Sequence, residues 1–189
     1  MPRPTRETRT RILTTAYKLF HRNGFARVGV DQVADQAGIT KRTLYYHFES
    51  KDQLLAAVLD FQDAVALSQV QDALRRVRGD DAKALVLSLF SEFAAWASQP
   101  RWTGTGFTRL VMELADRPGH PARAIASRHK AAIEAWLAQE LGKRKVKSPE
   151  ARAREVVLLL EGTNAMMLIH RDRRYAEAAA EAATRLVRL

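Results

Sequence analysis

Thr40, Lys41, Arg42, Thr43, Tyr45, Tyr46 and His47 crowd hydroxyls, cations and flat aromatic rings into one short stretch of this chain. Hydroxyls and cations bind phosphate oxygens, and an arginine can pair with a guanine edge. Leu44 and Phe48 stand four apart among them and point inward, so the polar set lies on the outward side of a short helix. Such a helix, with its first residues foremost, fits a DNA major groove. The alternative is an ordinary surface helix that happens to be basic, but an exposed Tyr-Tyr-His beside two buried anchors is an odd choice for plain solvent contact. Lys51 opens the next helix, where the helix dipole and a full charge both favour a phosphate.

The elements that must hold these residues are legible around them. Val30, Val33, Ala34 and Ala37 share one face at helical spacing. Gly38 stops that helix, because glycine reaches positive φ without steric cost. Thr40 then caps the next helix by accepting from a backbone N–H. Two short helices crossing at a glycine turn predict a helix-turn-helix. Ahead of it, a helix from about Thr5 to Asn23 buries Ile12, Ala16, Leu19 and Phe20, stops at Asn23-Gly24, and has Phe25 packed under it. Ser50-Lys51-Asp52-Gln53 matches a capping box that opens a fourth helix with Leu54, Leu55, Val58 and Leu59 inward. Arg3, Arg6, Arg9 and Arg11 form either a solubilising tail or a basic arm on the DNA backbone.

The 189 residues carry a net charge of +10 and a pI near 10.4, which favours a polyanionic partner. Residues 1–51 hold ten Lys or Arg against four Asp or Glu, a net of +6 in about a quarter of the chain. Without cysteine, disulfides and thiolate metal sites are excluded. No apolar run is long enough to span a bilayer and no apolar signal region opens the chain, so a soluble cytoplasmic protein is expected.

Beyond Gly79-Asp80-Asp81, the expected domain boundary, composition turns apolar. A helix from about Asp81 to Ser98 is apolar nearly all round and is expected at the centre of a helical domain. A short helix carries Phe107, Leu110, Val111 and Leu114, and a long one runs from about Pro121 to Leu141. Lys143-Arg144-Lys145-Val146-Lys147 reads first as a solvated linker rather than a second nucleic-acid contact. Ser148-Pro149 predicts a capped helix start, with the helix reaching about Arg171. The last helix has a small-residue stripe of Ala176, Ala179, Ala180, Ala183 and Val187. These final two helices are too apolar to lie bare on a monomer, which predicts a dimer. Phe90, Phe93, Trp96, Trp102, Phe107, Met112, His129, Trp136 and Asn164 are the candidate lining of a small-molecule pocket, each with a plain core alternative. Few charges accompany them, which favours an apolar or aromatic effector.

The motif Gly24-Phe25, Val30 to Ala34, Ala37-Gly38-Ile39-Thr40, Thr43 to Phe48, and Ser50-Lys51 to Leu54-Leu55 resembles the TetR (tetracycline repressor-like) family of bacterial transcription regulators, over roughly residues 8 to 56. The resemblance implies an all-α homodimer of about nine helices per chain. A three-helix DNA-binding domain would occupy residues 1–51, helix four (about 51–78) would connect, and residues 79–189 would form the effector-binding and dimerisation domain. It implies a near-palindromic double-stranded operator, an interface built from the last two helices, and release of DNA when a small effector binds. Thr40, Thr43, Tyr45, Tyr46, His47 and Lys51 correspond by position to DNA-contacting places. Arg42 sits where a small residue is common, so a base contact there is inferred from chemistry alone. One departure is Val28-Gly29, where the family usually has Thr or Ser.

Two rival classes remain. An enzyme finds no support: none of the five histidines stands at metal-ligand spacing, and there is neither a nucleophile elbow nor a phosphate-cradling glycine loop. No cofactor or metal is expected. The other rival is an architectural or protein-regulated DNA-binding factor without a small ligand.

Overall fold

The computed structural model describes residues 6–74 and 81–187. Arg3, the helix start expected at Thr5, the basic run Arg75, Arg76 and Arg78, and the boundary expected at Gly79 lie outside them. The described residues form helices only: α1 (Arg6–Asn23), α2 (Val30–Gln36), α3 (Lys41–His47), α4 (Lys51–Leu74), α5 (Ala82–Ala97), α6 (Gly106–Met112), α7 (Pro121–Lys143), α8 (Pro149–His170) and α9 (Arg174–Leu186). They group into two compact units, one of Met1–Val65 with Thr105–Arg128, the other of Ala66–Gly104 with His129–Leu189. Residues 105–128 thus join the N-terminal helices.

In the first unit, α1 buries Ile12, Leu13, Ala16, Leu19 and Phe20, and α2 buries Val33 and Ala34. Leu54, Leu55, Val58 and Leu59 of α4 are fully buried. Local chemistry fixes the ends of these elements. Gly24 ends α1 at φ +88°, and its N–H donates to the Phe20 carbonyl (2.9 Å). α2 ends in a left-handed turn at Gly38 (φ +63°), where Ile39 N–H reaches the Ala34 carbonyl and Gly38 N–H the Asp35 carbonyl. Ser50 caps α4 by accepting from Gln53 N–H (3.0 Å). Gln53 reaches back one residue further than the capping-box pattern, accepting from Glu49 N–H (2.6 Å).

Residues 105–128 are tied to this unit by named contacts. Arg109 donates to the His21 carbonyl, and a Glu113 carboxylate oxygen accepts from Ala26 N–H (2.9 Å). Asp52 receives both terminal nitrogens of Arg117. The Arg117 guanidinium, ahead of His120, holds the Asp52 carboxyl below its ordinary value.

In the second unit, α9 packs on α5 and α8. Leu85, Val86, Leu89 and Phe90 of α5, Leu137 and Leu141 of α7, Val156 of α8, Ala179 and Ala183 of α9 and Val187 just beyond it share one core. Three expectations are corrected here. α5 is not buried all round: Leu87 and Trp96 are each 40% exposed. The alanine stripe of α9 is spent inside the chain, with Ala176, Ala179, Ala180 and Ala183 all buried; small side chains serve the close approach of helices within one chain as readily as between chains. Ser148 makes no side-chain cap and stands in left-handed backbone (φ 51°), leaving Pro149 alone to set the start of α8. The basic loop is also less solvated than expected. Glu140 takes Lys143 (2.6 Å) and Arg144 (2.8 Å), and Val146 is buried.

Candidate nucleic-acid interface

A seven-residue helix has too few internal bonds to persist alone, so α3 owes its existence to what surrounds it. Thr40 caps it, its hydroxyl accepting from Thr43 N–H (3.1 Å) and sharing a second bond with the Thr43 hydroxyl (2.9 Å). Leu44 and Phe48 anchor it from behind at 0% and 2% exposure. Lys41, Arg42, Tyr45 and Tyr46 face solvent, Tyr46 being 73% exposed; Thr43 and His47 are half-buried.

The outward residues differ in how free they are. Arg42 makes no ion pair or hydrogen bond among the described residues. Lys41 is committed: its ammonium lies 2.9 and 3.1 Å from the two carboxylate oxygens of Asp31 on α2. That hydrogen bond, ahead of the charge itself, raises the Lys41 pKa. His47 has its ring edge-on to Tyr46 and tilted against Phe48, with Nε2 buried and unpartnered. Burial first, and the charge of Arg9 second, hold His47 below the usual histidine range. Lys51 is half-buried: its ammonium donates to the Ala26 carbonyl (3.3 Å) and stands 4.4 Å from the centre of the Phe25 ring. Burial lowers its pKa, against the opposing pull of Asp52 and Glu113.

Sequence reasoning left two residues of this face undervalued. Arg9, read as part of either a solubilising tail or a basic arm, holds its guanidinium 5.3 Å above the Phe48 ring, beside the end of α3. Asp31, which no sequence motif singled out, is the partner of Lys41. A charge-pairing search ten residues back would have flagged it.

The candidate effector residues do not all meet. Phe93, Trp96 and Trp102 contact one another edge-on, with ring centres 5.7 to 6.0 Å apart. Trp102 is 4% exposed, its Nε1 is buried without a hydrogen-bond partner among the described residues, and the Arg171 guanidinium lies 5.7 Å from its ring. Asn164 is buried on α8, close to Gly104. Phe90 belongs to the other core of the same unit, with Trp136 packed against that core, while His129 is buried on α7. Phe107 (buried) and Met112 (68% exposed) fall in the first unit. An open groove of about 560 Å3 runs between α5 and α9, lined by Leu87, Phe90, Ala94, Ala176 and Ala180 among others.

Comparison with known proteins decides what this arrangement is. Residues 12–58, the whole capped helix-turn-helix with parts of its flanking helices, match the family of bacterial regulatory proteins named for tetR. That segment carries the helix-turn-helix of the TetR family. The transcriptional activator FasR of Mycolicibacterium smegmatis is 40% identical over 72 residues, which is 38% of this chain and 33% of FasR. The chain spans only 27% to 46% of the length of the other leading curated relatives. Solved structures match along nearly the full chain. The TetR-family regulator SCO4454 of Streptomyces coelicolor is 28% identical, covers 96% of both chains and superposes with a TM-score of 0.81. The multidrug binding protein EbrR, solved in complex with imidazole, is 25% identical with a TM-score of 0.77, over 100% of this chain and 95% of EbrR. Among its described residues the chain contains no helix long and apolar enough to cross a membrane.

Proposed function

We propose that this chain is a sequence-specific, ligand-responsive transcriptional regulator that grips operator DNA through α3. The observation that carries the reading is the division of α3 into buried anchors (Leu44, Phe48) and an outward set headed by Arg42, Tyr45 and Tyr46. Thr40, Thr43, His47 and Lys51 complete the proposed contact set, and Arg9 joins it from α1; Lys41, held by Asp31, stands beside the set without belonging to it. Arg42, having no partner among the described residues, is the residue assigned to a base edge.

The working species is proposed to be a homodimer in the cytoplasm. On α8, Leu158, Gly162, Ala165 and Ile169 share one face at helical spacing, with Leu158 67% and Ile169 68% exposed. Pairing through α8 and α9 would cover that face. The two heads would stand about 34–36 Å apart and read a near-palindromic site. The effector is proposed to be apolar or aromatic, on the strength of Phe93, Trp96 and Trp102; EbrR, a multidrug binding protein, is consistent with that class. Release of DNA on effector binding, hence repression, is the proposed sense of regulation. A reporter assay tests it against activation, the sense in FasR's name.

The deciding experiment is selection of bound duplexes from a random pool, followed by a salt titration on the enriched site. Affinity should fall with a slope of about −0.9 per phosphate neutralised. No enrichment, or a flat salt response, refutes the DNA reading. Native mass spectrometry of freshly purified protein then tests for a bound small molecule. A core that takes up none of a panel of aromatic compounds would favour a factor controlled by a protein partner.

A further inference from the structure

We infer that Asp31 is a specificity-determining residue of the DNA-reading face, which acts by withholding the Lys41 ammonium from phosphates. The inference rests on the DNA-binding role proposed above. Asp31 lies in the first turn of α2 and Lys41 in the first turn of α3, and the Gly38 turn brings them together. Both carboxylate oxygens engage the ammonium, at 2.9 and 3.1 Å. The two side chains nevertheless remain 54% and 66% exposed. An ion pair so open to solvent adds little to folding stability, so its consequence lies in the field that the face presents.

That field matters because non-specific binding draws almost wholly on phosphate neutralisation and counterion release. A lysine already neutralised inside the protein releases no counterion, and any phosphate reaching for it also meets the Asp31 carboxylate. Asp35, exposed one turn further along α2, extends the same acidic strip. Arg42 has no such partner among the described residues and keeps its full donor set for a base edge. Subtracting a phosphate-directed cation while leaving a base-directed one lowers the hold on random DNA more than the hold on the operator. The ratio of the two therefore rises.

The test uses the full chain and two fluorescent duplexes, one of random sequence and one selected for binding, titrated between about 50 and about 200 mM salt. Asp31→Asn should steepen the salt slope on random DNA by about 0.9 per subunit, a gain of roughly 3.5-fold across that range. Lys41→Met alone should leave the slope unchanged, and the double variant should return to the wild-type slope. Asp31→Glu, which keeps the charge, should also behave as wild type. A wild-type slope in Asp31→Asn overturns the inference while leaving DNA binding intact; a flat wild-type titration instead sinks the DNA reading itself. A shallower slope in Lys41→Met overturns the inference, because Lys41 would then be leaving Asp31 for a phosphate. So does loss of all binding by Asp31→Asn with an unchanged melting curve. If that variant unfolds, the Lys41→Met and Asp31→Glu titrations decide alone.

Discussion

Leu44 and Tyr46 lie two residues apart on α3, and their replacement by alanine should have opposite consequences. Leu44 is 0% exposed, so truncation removes its transfer energy and leaves a cavity, at a cost of about 2–5 kcal/mol. With a urea m-value of about 1–3 kcal/mol/M, the midpoint for unfolding the head should fall by roughly 1–2 M. Tyr46 is 73% exposed and its ring touches the His47 ring edge-on. Its truncation should change stability by no more than about 0.5 kcal/mol. Loss of one hydroxyl bonded to a charged phosphate, worth roughly 1.5–3 kcal/mol, should weaken operator binding on the order of ten-fold or more. The three tryptophans, Trp96, Trp102 and Trp136, all lie in the second unit, so their fluorescence says nothing of the head. Hydrogen exchange at the α3 amides, read beside far-UV circular dichroism in urea, is the assay for stability, and fluorescence anisotropy the assay for binding. A head midpoint unmoved by Leu44→Ala, or a drop of more than about 1 kcal/mol in Tyr46→Ala, would refute the division of this helix into anchors and readers.

Further outcomes follow from single residues. Arg42→Ala should leave the melting curve alone and relax base preference at one position per half-site by about 1–3 kcal/mol; a repeat selection in which every position keeps its preference removes that contact. Gly38→Ala meets no atom within 4 Å, yet φ +63° should cost about 1–2 kcal/mol. Gly29→Ser, at φ −80° in open space, should gain a few tenths of a kcal/mol as a new cap on α2; thermal melts that rank the two alike contradict the backbone argument. His47 has its folded pKa depressed, so its unfolded form binds protons first. Its contribution to stability is full above about pH 6.5 and is lost as pH falls through the folded value. The melting-temperature difference between wild type and His47→Gln should therefore change on acidification from about pH 7.5 to 5.5, in the sense that wild type loses more; a constant difference rejects it. Ile169→Glu, at a position 68% exposed in one chain, should leave the protomer folded and yield monomers in sedimentation. A persistent dimer moves the proposed interface elsewhere.

What could be read in the sequence was whatever is decided within a turn or two of chain. Gly38, Thr40 and Ser50 each form the expected backbone bonds, because a cap or a left-handed turn depends on neighbours three or four residues away. Ser148 shows the limit of that rule: its residue type fits a cap, but its left-handed backbone leaves it without the bond. Longer reaches were invisible. The tie between Glu113 and Ala26 spans 87 residues, and no local pattern announces that residues 105–128 pack with the head. Periodicity gave the stripe of α9 correctly but not its destination, since a row of alanines looks the same whether it meets α5 of its own chain or a second copy. The candidate site was legible as a list of residue types. Which cations are free and which are held was not, because that depends on Asp31 for Lys41 and on Phe25 and Ala26 for Lys51.

The clasp of Glu113 on Ala26 N–H and of Arg109 on the His21 carbonyl bears on how this protein can be re-engineered. A head cut off after α4 would lose both grips, along with the buried Phe107, Leu110 and Leu114 of its own unit. Anyone transplanting the proposed operator preference onto a different protein should carry the stretch 105–128 along, as a second, distant instalment of the same graft.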